Sequence, residues 1–244
     1  VLVVLLEVSL APPASIHVRP FTRITRGNER LDVGDGRRML LRTATHGSGG
    51  IVWHAAKVLC RWLSSTADEL RGARVLELGC GTGACGLYAA ALGASRVTLT
   101  DDDRPALLDL ARSNVQLNAA LYPTAVVDVQ PLVWGGHASA LPHEALDLVI
   151  GSDITYGGSV RRLLCTTLHN LLAAQKETKR HAGAGVPRAI LSHQVRTQDG
   201  SMELLLADAL AAKLEFEQLH TEQDASSSYP PATFVVFELK LREP

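Results

Sequence analysis

The chain has 244 residues, 46% hydrophobic and 20% charged, an ordinary globular make-up that allows one sizeable core with an embellishment. Its net charge of -1 supplies no basic field to draw in nucleic acid, which argues against a nucleic-acid partner. Four cysteines, at 60, 80, 85 and 165, form no Cys-x-x-Cys pair, and nine histidines lie scattered without metal spacing; this excludes a disulfide framework and a zinc site and fits a reducing compartment, cytoplasmic or nuclear.

Residues 1–50 carry short β-like runs at 1–6, 15–25 and 38–43, broken by Pro and Gly, and are expected to form an N-terminal β appendage. The first run is apolar but interrupted by Glu7. It is too short to span a membrane and reads as a strand rather than a signal peptide. Residues 46–50 read as a flexible loop. Apolar residues at 52, 55, 56, 59, 60 and 63 recur at helical spacing and predict a helix over 51–63. A strand–helix alternation then begins, the pattern of a parallel sheet with helices on both faces, an α/β Rossmann-like architecture. Strands are expected at 74–78, 96–100, 125–129, 146–150 and 188–193. Asp103 is placed to cap the helix that follows the second of these, with Pro105 in its first turn and its end near Asn118. Residues 159–174 read as an amphipathic helix, 175–187 as a polar surface loop, and 202–213 as the last helix. Residues 216–220 and 233–240 look like a closing β pair around a loop at 226–231. The count is seven strands after residue 70, with no internal repeat and no second core. The division is therefore an appendage, 1–50, and one domain, 51–244, expected to be monomeric and without membrane attachment.

The chemical signal begins at Arg74-Val-Leu-Glu-Leu-Gly-Cys-Gly-Thr-Gly83, followed by Arg96-Val-Thr-Leu-Thr-Asp101. A glycine turn after one strand and a carboxylate ending the next form a nucleoside site. The turn admits the ligand, and Asp101 accepts hydrogen bonds from ribose hydroxyls. A dinucleotide fold favours Gly-x-Gly-x-x-Gly with a pyrophosphate on the helix N-terminus. Here the glycines stand at 79, 81 and 83, and Glu77 precedes them. A carboxylate there opposes a pyrophosphate and suits a cationic, phosphate-free ligand such as S-adenosylmethionine. A dehydrogenase is accordingly disfavoured. The segment 77–83 resembles motif I of the seven-strand S-adenosylmethionine-dependent methyltransferases, whose sheet also ends in an antiparallel strand.

The second signal is Leu146-Asp-Leu-Val-Ile-Gly-Ser-Asp-Ile-Thr-Tyr156. Ligands of open α/β sheets bind beyond the carboxyl ends of the strands, so Asp153 and Tyr156 are expected to project over the methyl donor. A helix-capping Asp and a core Tyr are the alternative. Asp153-Ile-Thr-Tyr156 resembles the Asp-x-x-Tyr signature of the family 16 methyltransferases, mostly protein lysine methyltransferases. Val52-Trp53, Asn114-Val-Gln-Leu-Asn118 and Leu132-Val-Trp-Gly135 resemble further segments of that family, and the likeness spans roughly residues 50–240. It implies that Trp53 and Trp134 line an adenosyl pocket. It also implies that Gly79, Cys80 and Gly81 form a backbone cradle completed by Gly83, that Asp101 takes the ribose, and that Ser152 packs beside the cofactor. It implies methyl transfer from S-adenosyl-L-methionine to a lysine amine of a protein substrate, with Asp153 gripping the amine and Tyr156 shaping its channel. A small-molecule acceptor on the same fold, or a cofactor-binding protein without turnover, remains open at this point. His54 and His193 are weaker candidates for facing the site.

Overall fold

The computed structural model describes residues 28–44, 48–136, 145–182, 187–196, 201–224 and 232–242. The described residues open with strands β1 (Asn28–Gly34) and β2 (Arg37–Arg42), followed by a 3-10 turn at Ser48–Gly50 and helices α1 (His54–Ser65) and α2 (Ala67–Leu70). Then come β3 (Arg74–Leu78), α3 (Ala84–Ala91), β4 (Arg96–Asp101), α4 (Pro105–Asn118), β5 (Val126–Pro131) and β6 (Leu148–Ser152). The chain closes with α5 (Gly158–Ala182), β7 (Arg188–Val195), α6 (Ser201–Ala211), β8 (Leu214–Asp224) and β9 (Ala232–Leu241).

Seven strands form one sheet in the order β5-β4-β3-β6-β7-β9-β8. The first five are parallel, whereas β9 runs antiparallel between β7 and β8. The chain moves outward from β3 to β4 and β5, then returns to place β6 on the other side of β3. That reversal opens a crevice beyond the carboxyl ends of β3 and β6, where such sheets bind ligands.

The central strands are apolar on both faces because both faces are covered. Val75 points into a core built with α1 and α3, while Leu76 and Leu78 point into a second core built with α5 and α6. The α3 helix, Ala-Cys-Gly-Leu-Tyr-Ala-Ala-Ala, is buried at every residue. Its small side chains let it lie very close to the sheet: a Cβ on Gly86 would stand 2.3 Å from the Leu99 side chain.

The expected N-terminal β appendage is in part a hairpin, β1 paired antiparallel with β2. The 38–43 run corresponds to β2, while the runs at 1–6 and 15–25 lie outside the described residues. The sequence reading missed β1, whose inward alternation rests on only Leu31 and Val33 among charged neighbours. The hairpin is fastened to α4 by two buried asparagines. Asn114 accepts a hydrogen bond from the Arg42 N–H at 2.8 Å and donates to the Arg42 carbonyl at 3.1 Å. Asn118 accepts from the Leu40 N–H at 2.9 Å and donates to the Leu40 carbonyl at 2.8 Å. Four residues of helix advance ~6 Å and two residues of strand ~6.6 Å. Side-chain amides spaced i, i+4 therefore match the open edge of β2 as a further strand would.

Two other expectations need correction. The predicted loop at 175–187 is helical through Ala182. Residues 174–182 contain good helix formers and no Gly or Pro before Gly183, and the Gln175 side chain accepts the Leu146 N–H at 2.8 Å, tying the helix to the sheet. Asp103 does not cap α4. Arg104, not Asp103, flanks that helix, without a side-chain cap, and Pro105 stands in its first turn as expected.

Asn118→Ala removes three hydrogen bonds to backbone groups, two to Leu40 and one to the Asn114 carbonyl, and should lower stability by about 1–3 kcal/mol, read as a reduced urea midpoint with an unchanged slope.

Candidate active site

One cavity of about 540 Å³ opens at the crevice, within the range of small-ligand sites. The structure brings seven of the sequence-predicted residues to its wall: Trp53, Gly79, Asp101, Trp134, Ser152, Asp153 and Tyr156. Trp53 arrives at the head of α1, and the others from strand ends or the segments beyond them. Gly79 follows β3, Asp101 ends β4, and Ser152 ends β6.

The glycine turn is built differently from the expected cradle. Gly79 adopts φ +60°, and a Cβ there would lie 2.7 Å from Ile154 and 3.3 Å from the Trp134 ring. Glycine thus allows Trp134 and Ile154 to close against the backbone. Cys80 and Gly81 do not line the cavity, and their N–H groups are already committed. Cys80 donates to the Thr100 carbonyl at 2.8 Å, and Gly81 donates to Asp101 Oδ2 at 2.8 Å. Burial raises the Cys80 thiol well above its ordinary value. Gly83, left-handed at φ +80°, begins α3 and packs on Leu99. These residues shape the turn, and Gly79 alone of the four faces the cavity.

Glu77 is also corrected. It is 1% exposed and lies under the turn, outside the cavity wall. Its Oε2 accepts the Gly86 N–H at 2.7 Å, one of the free donors in the first turn of α3. No side chain at the flanking Gly83 could do this, so a carboxyl group from the adjacent strand caps the helix. The terminus that would receive a phosphate in a dinucleotide fold is therefore filled from within. Burial first, and then the charge of Asp101, push the Glu77 carboxyl up to about 8 against the opposing backbone donors.

Asp101 is 8% exposed. Its two oxygens accept the N–H groups of Gly81 and Asp102, at 2.8 and 2.9 Å. Each oxygen keeps a further lone pair, so the carboxylate is fixed in aim and still able to accept from a ligand hydroxyl. Arg104 stands 3.8 Å away and pairs with Asp102 at 2.5 Å.

At the opposite lip, Asp153 takes a left-handed backbone, φ +50°, which Asp tolerates better than most residues. Its side chain is 6% exposed and meets Arg196 in a two-point ion pair, with N–O distances of 3.1 and 2.7 Å. His193 Nδ1 lies 3.6 Å from Asp153 Oδ1 and is hydrogen-bonded to Thr155 Oγ1 at 2.7 Å. Burial acts to raise the Asp153 carboxyl, but His193 and Arg196 outweigh it and hold it below the usual carboxylate range. Tyr156 is half exposed at the rim, and partial burial raises its phenol. His193 itself is buried behind the wall, and His54 stacks on Phe234 with ring centres 4.8 Å apart. Neither lines the cavity.

Sequence reasoning missed Ser48, Arg104, Ile154, Leu163 and Arg196, all in the wall. Ser48 arrives with the turn that crosses the glycine loop: a Cβ on Gly81 would stand 2.6 Å from the Gly49 carbonyl. The Ser48 carbonyl also accepts the Trp53 indole N–H at 2.8 Å. The N-terminal segment therefore forms part of the site. Among the described residues no three His, Cys, Asp or Glu side chains converge as a metal site, and no helix is long and apolar enough to cross a membrane.

Residues 38–181 match the family model described as lysine methyltransferase. The chain is similar to protein N-lysine methyltransferase METTL21A of Danio rerio, 36% identical over 150 residues, covering 62% of each chain. It is also similar to the calmodulin-lysine N-methyltransferase of Arabidopsis thaliana, 30% identical over 128 residues, covering 52% of this chain and 42% of that one. The match thus spans less than two thirds of either relative's length. Among solved structures, the YcgJ protein from Bacillus subtilis superposes with a TM-score of 0.55 at 13% identity, covering 78% of this chain and 99% of that one, a likeness of fold.

The Glu77 geometry has a pH signature. A carboxyl raised from 4.5 to about 8 in the folded state contributes stability that is full below pH 4.5 and lost as pH rises through 8. Ligand-free Glu77→Gln, which cannot ionise, should melt near wild type at pH 5 and above it at pH 9 in paired thermal scans.

Proposed function

Since the chain belongs to the lysine methyltransferase family, we propose that it transfers a methyl group from S-adenosyl-L-methionine to a lysine side-chain amine of a protein acceptor. The observation that carries this reading is one cavity at the sheet's switch point whose wall holds Asp101 and Gly79 together with Asp153 and Tyr156.

The residues fit the cofactor. The α3 N-terminus, where a phosphate would bind, is filled by the Glu77 carboxyl, in keeping with a nucleoside that carries no phosphate. Trp53 and Trp134 offer indole surfaces to an adenine. Asp101, aimed by the Gly81 and Asp102 N–H groups, would accept the ribose hydroxyls. Gly79 would bring its backbone against the cofactor, and Ser152 would pack beside it. When bound, S-adenosylmethionine supplies an electrophilic methyl on a sulfonium, which the amine lone pair takes as the carbon–sulfur electrons return to sulfur.

The work left to this chain at the acceptor side is to bind a cation and let it become neutral. A lysine amine has a reference pKa of about 10.4, so only about one in 10³ is neutral near pH 7. Asp153 stays ionised because His193 and Arg196 outweigh its burial. It therefore serves to attract and orient the ammonium rather than to remove its proton. Tyr156, at the rim with Val133 and Leu163, would line the channel taken by the aliphatic stem and accept a hydrogen bond at its mouth.

Incubating cell lysate with the purified chain and S-adenosylmethionine labelled in the methyl group should label protein, and acid hydrolysis should return the label as methyl-lysine. Label recovered only in small molecules would replace the protein acceptor by a metabolite. Asp101→Ala should weaken binding of S-adenosylhomocysteine by about 1.5–3 kcal/mol in calorimetry. Asp153→Asn and Tyr156→Phe should leave that affinity within a few fold while lowering labelling by about 10²-fold.

A further inference from the structure

Asp153 is already holding a cation. Its carboxylate faces the cavity, yet both oxygens are taken by Arg196, at 3.1 and 2.7 Å. Its other partners are at the long edge of contact: the Gln194 N–H at 3.4 Å, and a His193 Nδ1 at 3.6 Å that is committed to Thr155 at 2.7 Å. The good hydrogen bonds of this buried group come from Arg196. The two partners differ in burial, since the Asp153 side chain is 6% exposed and the Arg196 side chain 37%. Arg196 lies one residue past the end of β7, in the cavity wall with Tyr156. It also lies beyond the residues matched by the family model.

We propose that Arg196 is the resident counter-ion of the acceptor subsite, occupying Asp153 until the ammonium of an acceptor lysine displaces it. This rests on the lysine reading of the preceding section. A guanidinium fork engages both carboxylate oxygens at once and balances their charge, so a second cation is held only weakly while it is in place. A compact ammonium with three donors satisfies the same carboxylate from the cavity side. Exchange of one cation for another never leaves a buried carboxylate unpaired, which is the strongly unfavourable state. A neutral side chain entering the channel offers no such replacement, so the exchange selects for a cationic acceptor. With the guanidinium withdrawn, the ammonium takes over its part, beside His193, in keeping the buried carboxylate ionised. Arg196 is thus a positioning residue that acts through Asp153.

The probe is n-butylammonium, the end of a lysine side chain, titrated into the whole chain and followed by backbone amide shifts at residues 152–156, with n-butanol as the uncharged control. In Arg196→Gln, butylammonium should bind at least tenfold tighter than in wild type, and butanol should not. Arg196→Lys, which keeps a cation but loses the fork, should fall between the two; it supplies the comparison if the glutamine variant does not fold. Adding Asp153→Asn to Arg196→Gln should abolish the gain. Equal or weaker butylammonium binding in both Arg196 variants overturns the proposal, as does a gain that survives Asp153→Asn. Calorimetry with S-adenosylhomocysteine separates the two levels of the argument. Cofactor product binding without an Arg196-dependent gain removes the counter-ion alone. Failure of wild type to bind S-adenosylhomocysteine removes the methyltransferase reading and the inference with it.

Discussion

The capping of α3 by Glu77 ties together the central strand, the glycine turn and the helix that follows. A helix N-terminus leaves donors unsatisfied. In this chain one of them is met by a carboxyl group rising from β3, across a distance that only the glycine at 86 permits. The contact lets the turn from Gly79 to Gly83 close on itself, with Cys80 and Gly81 spending their N–H groups on Thr100 and Asp101. Asp101 is in turn aimed by that closure. The wall of the cavity around Gly79 and Asp101 is therefore organised from below, by groups that do not themselves line it. The same arrangement separates this site from a dinucleotide fold: the positive end of the helix is spent internally.

The other side of the cavity depends on strand register. Ser152 pairs with Ser192 in the β6–β7 ladder, and the chain beyond each strand then carries Asp153 and Arg196 to the same lip. Fold alone does not dictate what such a lip does. Here the chemistry is a buried carboxylate, kept ionised by a partly exposed guanidinium, beside a tyrosine and an apolar rim. That combination suits a long aliphatic side chain with a cationic end.

The β1–β2 hairpin packs onto the domain rather than hanging from it. The asparagine pair on α4 holds β2 as a strand would, and Asn114 also donates to the Thr82 carbonyl within the glycine turn, at 2.9 Å. One side chain therefore links the hairpin to the turn, and Ser48 and Gly49 bring the following segment over it.

The sequence by itself determined the strand and helix order, because strands buried on both faces read as short apolar runs and amphipathic helices carry their own period. It also pointed to Asp101, Asp153 and Tyr156, which line the cavity in the structure because they stand at or just beyond the carboxyl ends of β4 and β6. It did not reveal that Glu77 faces inward, since a strand carboxylate next to a glycine turn reads the same whether it meets a ligand or a helix end. Only packing against Gly86 decides between them. It did not reveal Arg196 or Ser48 either, because their partners lie 43 residues away and across a loop. Such contacts are set by sheet register and close backbone approach, neither of which leaves a local pattern in the chain. The continuation of α5 through Ala182 was decided partly by local propensity and partly by the buried Gln175 hydrogen bond, and only the first of these is visible in a sequence.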